Sequence, residues 1–304
     1  MLEFQRTSLS LPSLLQSPEY FPLIHPSSLP HLTHLSSATY WIAIEARLGG
    51  ELVGLSLSEV YPLLKIAQLH SIVIKSNRRR QGMGRQLFTF TEDQLVKEEK
   101  IQTVELMYEQ TDPSTPALEK IMAPLGWTVP QLLMIRCHFD AHAFNPPWLH
   151  HAYLLPPSMS FFAWGELPPE ERGYIDYLAH QGRFPPYLSP FREEELIDVE
   201  ASVGLRQEEL IVGWSITHRP DPATIRYSSL YIDSNLFHGG YGIQLLVESI
   251  HRQKQLSIPH ALFEINLMEI EPSWWRFVKK RLMPIADKIE RIKKAVHTLT
   301  IFLD

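Results

Sequence analysis

The sequence predicts an α/β protein built as two tandem copies of one fold, and two observations carry that prediction. The first is the stretch from Ile72 to Phe88, IVIKSNRRRQGMGRQLF. A β-branched apolar run stops at Ser76 and Asn77, crosses three arginines and two glycines, and enters helical apolar spacing, which reads as strand, tight loop, helix. The second appears when the chain is slid by 158 positions. Ser71 then falls on Ser229, Ile74 on Ile232, Ser76 on Ser234, Asn77 on Asn235, Gly82 on Gly240, Gly84 on Gly242, Gln86 on Gln244 and Leu87 on Leu245. The hairpin glycine Gly54 meets Gly213 with one residue of slippage. An internal repeat explains both.

Taken in order, residues 2–7 read as a strand, and residues 8–37, broken by five prolines, hold only short helices. A strand at 40–47, a turn at Gly49 and Gly50, and a strand at 52–60 form a hairpin. Residues 66–74 form the strand that delivers the loop, 85–100 an amphipathic helix, 103–108 a strand, 116–122 a helix stopped by Pro124 and Gly126, and 131–139 a strand. The proline-rich stretch 140–157 is expected to hold a closing strand near 148–155 and then the boundary, giving domains 1–156 and 157–304. The same grammar restarts with a strand at 159–164, a helix at 168–181, a hairpin of 199–206 and 210–217, and a strand at 225–232 before the second loop.

The first loop suits phosphate. Amides at a helix start lack intrahelical partners and sit at the positive end of the helix dipole, and Gly82 and Gly84 let an anion approach the backbone. No Gly-Lys-Ser/Thr follows, as a nucleotide P-loop requires, and no third glycine completes a dinucleotide fingerprint. Arg79-x-x-Gly82-x-Gly84, after a strand containing Ile72 and Ile74, closely resembles motif A of the GNAT acetyltransferase family, Arg/Gln-x-x-Gly-x-Gly/Ala. The resemblance covers nearly the whole chain as two GNAT-like domains, each a mixed, mostly antiparallel central sheet flanked by helices. It implies that the first loop holds the pyrophosphate of acetyl-CoA, with Ile72, Val73, Ile74, Arg78, Arg79, Arg80, Gln81, Gly82, Met83, Gly84 and Arg85 as the binding stretch. In the second loop Phe237 stands where Arg79 stands in the first, so weak or absent acetyl-CoA binding is expected there.

Acetyl transfer from a thioester to an amine needs a base, an oxyanion donor and an acid. His70 lies nine residues before Arg79, where a family member carries a histidine implicated as base, and alternation puts it on the side of Gln68, Ile72 and Ile74. Histidine suits proton removal near neutral pH. Family members often carry the acid as a tyrosine four residues before the glycine that ends the last helix, but that position is Met122, so Tyr108 is the substitute considered. His138, His142, His150 and His151 have no spacing that fixes a metal, and none is expected. Cys137, Trp274 and Trp275 read as packing residues.

The 304 residues are 44% hydrophobic and 20% charged, ordinary for a globular protein with room for two cores. A net charge of −6 disfavours a nucleic-acid partner. A single cysteine, no apolar run of membrane-spanning length and no leader pattern at the first residues suggest a cytoplasmic protein. The function expected is an acetyl-CoA-dependent N-acetyltransferase whose first domain acts on a primary amine of a small molecule or peptide. The competing expectation is a non-catalytic acyl-CoA-binding or interaction scaffold of the same fold.

Overall fold

The computed structural model describes residues 1–32, 38–151 and 154–299. In chain order its strands are β1 (Leu2–Arg6), β2 (Tyr40–Leu48), β3 (Glu51–Tyr61), β4 (Ile66–Ile74), β5 (Thr103–Glu109), β6 (Gln131–Asp140), β7 (Met159–Ala163), β8 (Val203–Gln207), β9 (Leu210–Asp221), β10 (Thr224–Ile232), β11 (His260–Asn266) and β12 (Lys288–Thr298). Its α-helices are α1 (Leu11–Gln16), α2 (Leu29–Leu32), α3 (Met83–Lys97), α4 (Thr115–Met122), α5 (Pro169–His180), α6 (Tyr241–Gln255) and α7 (Pro272–Phe277).

The chain forms two compact units, and their limits depart from the expected boundary at 156/157. One unit is Met1–Leu133 with Arg291–Asp304, the other Met134–Glu290. The reason is strand exchange between the repeats. In the first unit β1, β2, β3 and β4 run antiparallel in series, β4 pairs with β5 in parallel, and β5 is flanked by β12 from the far end of the chain. In the second unit β7, β8, β9 and β10 repeat that series, β10 pairs with β11 in parallel, and β11 is flanked by β6. The first copy of the repeat runs through β6 and the second starts at β7, whereas the compact units trade their last strands.

The repeat is visible element by element. The strand before each loop has nine residues, and the helix after it, α3 or α6, has fifteen, each pair displaced by 158 positions. Both helices pack on a hairpin strand at a glycine. A Cβ on Gly54 would lie 2.4 Å from Ile74 Cδ1 and 3.3 Å from Leu87 Cδ2. One on Gly213 would lie 2.8 Å from Ile232 Cδ1 and 3.1 Å from Leu245 Cδ1. In the first unit, Leu69, Ile74, Leu87, Phe88 and Leu106 form the core on the α3 side, and Leu14, Tyr20, Leu23, Leu55 and Leu57 fill the opposite face. Each such buried side chain contributes ~1.5–3 kcal/mol of transfer free energy.

Three expectations need correction. The closing strand near 148–155 is not formed: Pro147–His150 is a 3₁₀ turn, and residues 152–153 lie outside the described residues. Residues 199–202 precede rather than belong to β8. Gln68, His70, Ile72 and Ile74 do not share a face, because β4 carries a β-bulge: Ser58 opposes Leu69 while Leu57 opposes Ser71, leaving His70 as the extra residue. The extra residue flips the alternation beyond it, so Ile72 and Ile74 join the α3-side core while His70 stays opposite.

Candidate functional site

The site in the first unit begins where two strands part. β4 and β5 pair only from Ile66↔Thr103 to Leu69↔Leu106, and β4 continues without that partner to Ile74. The Lys75 amide donates to the Val53 carbonyl at 2.9 Å, so Val73 and Leu55 form the next hydrogen-bonded pair. Ile72 and Ile74 therefore turn their amides and carbonyls away from β3, toward the side β5 has left. Val73 is bonded into the β3 ladder, and its side chain packs on the face away from α3.

Beyond Ile74 the chain makes a 3₁₀ turn at Ser76–Arg78, and Gly82 caps α3 with φ +78°. That left-handed conformation costs glycine little and other residues more. Gly82 offers no side chain to the helix end, and its carbonyl accepts from Gln86, so the amides of Met83, Gly84 and Arg85 are free for an anion. A Cβ at Gly84 would be 3.7 Å from Ile74 and Ile121, so the loop is packed behind and open in front. Its cations divide into two groups. Lys75 and Arg78 are both held by Glu51, at 3.0 and 3.1 Å, and Arg79 Nε donates to the Ile74 carbonyl at 2.9 Å. Arg80, with φ 64°, and Arg85 are exposed and carry no ion pair among the described residues. Gln81 is exposed, while Met83 is buried against the core of the unit.

His70 lies on the bulge with its side chain 4% exposed and its Nε2 3.2 Å from Glu59 Oε2. Burial pushes the Glu59 carboxyl up, but hydrogen bonds from His70, Thr39 and Tyr61 outweigh it and hold the group below its ordinary range. A carboxylate only accepts, so Nε2 carries a proton toward Glu59, and Nδ1 is the ring nitrogen not engaged by that carboxylate. The ring also packs on Trp41 and His31, with centroids 4.7 and 4.8 Å away. The Tyr61 hydroxyl, donating to Glu59 at 2.9 Å, is pushed up to about 12 by burial and by that carboxylate. The segment leading into α2 is pinned here too: the His25 amide donates to Ser71 Oγ at 3.0 Å and Ser28 Oγ donates to the His70 carbonyl at 2.7 Å.

Tyr108 sits on β5, two residues past the last β4 pairing, and its hydroxyl donates to Glu119 Oε1 at 3.0 Å. Burial and that carboxylate raise its pKa, and Lys293 from β12 meets the same oxygen at 2.9 Å. No hydrogen bond or ring contact joins Tyr108 to His70 among the described residues. Glu59 and Trp41 escaped the sequence reading because a carboxylate and an indole on neighbouring strands have no linear signature.

The second unit repeats this layout with other residues. β10 and β11 pair only from Thr224↔His260 to Tyr227↔Phe263, and a bulge at Ser228 interrupts β10 where Thr217 opposes Tyr227 and Ile216 opposes Ser229. Gly240 caps α6 with φ +71°, Phe237 is 60% exposed, and Asp233 occupies the position of Lys75, ion-paired to Arg183 at 2.7 Å. A cavity of about 300 Å³ opens at the parting strands, lined by residues including Tyr187, His218, Arg226, Ser228, Phe263 and Trp274.

Residues 11–122 match the sequence model of the acetyltransferase (GNAT) family. A tandem GNAT protein from the clavulanic acid biosynthesis pathway is similar over 97% of this chain and 98% of its own, at 13% identity and a TM-score of 0.67. A GCN5-related N-acetyltransferase from Sphaerobacter thermophilus is similar over 99% and 98%, at 15% identity and a TM-score of 0.64. A glucosamine N-acetyltransferase region of a fungal multi-domain β-N-acetylglucosaminidase is similar over 98% of this chain and 38% of that one, at 13% identity and a TM-score of 0.65. No curated protein matches the chain in sequence. Among the described residues, no helix is long and apolar enough to cross a membrane.

Proposed function

We propose that the first unit, whose residues 11–122 match the acetyltransferase (GNAT) family model in a chain with the tandem GNAT fold, is an acetyl-CoA-dependent N-acetyltransferase acting on a primary amine of a small molecule or peptide. The observation that carries the reading is the continuity of the β4 end with the α3 loop. Backbone groups of Ile72 and Ile74, released where β5 leaves, run directly into the free amides of Met83, Gly84 and Arg85. A CoA ester fits that track, because Gly82 and Gly84 leave the anion approach clear and Arg80 and Arg85 have charge not already spent on an acid. Arg78 and Arg79 play a smaller part, being engaged with Glu51 and the Ile74 carbonyl.

The thioester supplies an activated acyl group, and the chain supplies the rest. His70 serves as base through Nδ1, oriented by the Glu59 carboxylate on Nε2, and takes the proton of the ammonium directly or through water. Tyr108 is the acid considered, and its engagement with Glu119 is the observation that favours the second reading, a non-catalytic acyl-CoA-binding protein. Turnover of an amine by the wild type, lost in His70→Ala, supports catalysis; binding without turnover across an amine panel supports the second reading.

Calorimetric titration of acetyl-CoA into wild type, Gly82→Trp and Gly240→Trp tests the binding step. Binding abolished by Gly82→Trp alone is the expected outcome. Binding lost only in Gly240→Trp moves the site to the second unit, and no binding by the wild type ends the reading.

A further inference from the structure

The repeat that relates the two units also relates their bulges. Displacement by 158 positions puts Ser228 on His70, and displacement by 159, the slippage already present in the hairpin glycines, puts His218 on Glu59. The carboxylate and imidazole of the first unit are thus replaced by an imidazole and a hydroxyl. His218 Nε2 is 2.8 Å from the Arg192 carbonyl and Nδ1 is 2.6 Å from Ser228 Oγ. A carbonyl oxygen only accepts, so Nε2 carries the ring proton and Nδ1 must accept the hydroxyl proton of Ser228. The alternative acceptor for that proton, the Arg226 carbonyl, is farther at 3.3 Å.

Further features bear on the same serine. Arg226 Nε donates to Ser228 Oγ at 3.1 Å, so a cation faces the charge that a departing proton would leave. His218 is 2% exposed, and burial, aided by the charges of Arg226 and Arg192, outweighs the Arg192 carbonyl bond and Glu193 and lowers its pKa, so the ring is neutral and able to accept at pH 7. Ser228 lines the cavity of about 300 Å³, whose walls include Leu230, Phe263 and Trp274. The Asp233 amide donates to the Val212 carbonyl at 2.8 Å, which fixes Tyr231 with Trp214 as the next hydrogen-bonded pair and turns the Leu230 amide toward the side β11 has left.

We propose that Ser228, activated by His218, is a nucleophile that takes an acyl group from a thioester or activated ester bound in this cavity. The hydroxyl oxygen bonds to the acyl carbon, and its proton passes to His218 Nδ1. The carbon–sulfur or carbon–oxygen bond of the donor breaks, and the leaving group takes the proton from His218, so the products are an acyl-serine and a free thiol or alcohol. No electron is gained or lost overall. The arrangement is the nucleophile, base and orienting acceptor of covalent acyl transfer, with a backbone carbonyl in the orienting place. It is independent of acetyl-CoA binding by the first unit.

The test uses the whole chain and two probes that contain no CoA, an alkyl fluorophosphonate and p-nitrophenyl acetate. Intact mass should show a single phosphonyl adduct, and fragmentation of the tryptic peptide beginning at Tyr227 should place it on Ser228. Ser228→Ala should remain unlabelled, and His218→Gln should react at least ~100-fold more slowly, the usual size of a lost general base. Thermal denaturation verifies that each variant is folded. An unlabelled wild type, an adduct elsewhere than Ser228, or a folded His218→Gln that reacts as fast as wild type would each overturn the proposal. The wild-type result decides even where a variant fails to fold. A burst of p-nitrophenol matching one acetyl group per chain, absent in Ser228→Ala, is the corroborating result for acyl chemistry, and no burst from the wild type refutes it.

Discussion

At the scale of single residues, the base proposed for the first unit belongs to a buried pair whose members control each other. His70 without Glu59 would lose the acceptor that fixes its tautomer, and Glu59 without His70 would lose one of three donors that keep it ionised. Replacing His70 by Ala is expected to lower kcat for amine acetylation by ~10²–10⁴-fold while leaving acetyl-CoA affinity, measured by calorimetry, unchanged. The pair also predicts a pH dependence of stability. The folded pKa of Glu59 lies below its unfolded value, so its stabilisation is fully present above the unfolded value of about 4.3 and disappears as pH falls through the lower folded one. Glu59→Gln should therefore be less stable than wild type by ~1 kcal/mol at pH 7, and the difference should shrink toward zero in acid. Urea unfolding at pH 7 and pH 3 measures this, and a gap that stays constant would contradict it.

At the scale of elements, each loop helix lies on a hairpin strand with only a hydrogen atom between them. Gly54→Ala forces Ile74 Cδ1, 2.4 Å from the new carbon, to move, with the Val73 carbonyl a further 3.1 Å neighbour. Gly213→Ala meets Ile232 Cδ1 and the Tyr231 carbonyl, both at 2.8 Å, and the backbone oxygen cannot rotate aside. Both substitutions should destabilise by ~1–3 kcal/mol, as overpacking does, with Gly213→Ala the more costly. Calorimetric melting of the two variants tests the order. Ile74 and Ile232 also end the strands that enter the loops, so in the first unit Gly54→Ala should weaken acetyl-CoA binding as well as stability.

At the scale of the whole molecule, the exchange of terminal strands makes the first unit depend on a distant part of the chain, while the second is one continuous stretch. β12 brings His297 to Glu92 at 2.6 Å and Lys293 to Glu119 at 2.9 Å, and Trp127 donates to the same Glu92 at 3.0 Å. Burial raises the Glu92 carboxyl, and His297 and Trp127 oppose that rise, so removing β12 leaves a buried acid short of a partner. A fragment of residues 134–290 keeps all six strands of its unit and is expected to unfold cooperatively, whereas a fragment of residues 1–156 lacks β12 and is expected not to. Denaturant unfolding of the two fragments followed by circular dichroism tests this, and a cooperative 1–156 fragment would show that β12 is dispensable.

The sequence alone determined what is local or repeated. β4 is found at its expected residues, the helix after it starts at Met83 rather than at the expected residue 85, and the repeat emerges from identities such as Gly82 with Gly240, because backbone conformation restricts residue choice one position at a time. The family resemblance followed from the same short stretch. The tertiary structure decided what depends on pairing between distant strands. The bulges at His70 and Ser228 are register events between two strands, and neither strand's own pattern reveals them. Glu59 beside His70, His218 beside Ser228 and Glu119 beside Tyr108 are neighbours across strands or between strand and helix, 10 or 11 residues apart in sequence with no fixed spacing to betray them. The trade of β6 and β12 between units lay beyond the sequence for the same physical reason. A strand's alternation specifies which face it buries, and hydrogen bonding to its edges is indifferent to which copy of the repeat supplies the neighbour.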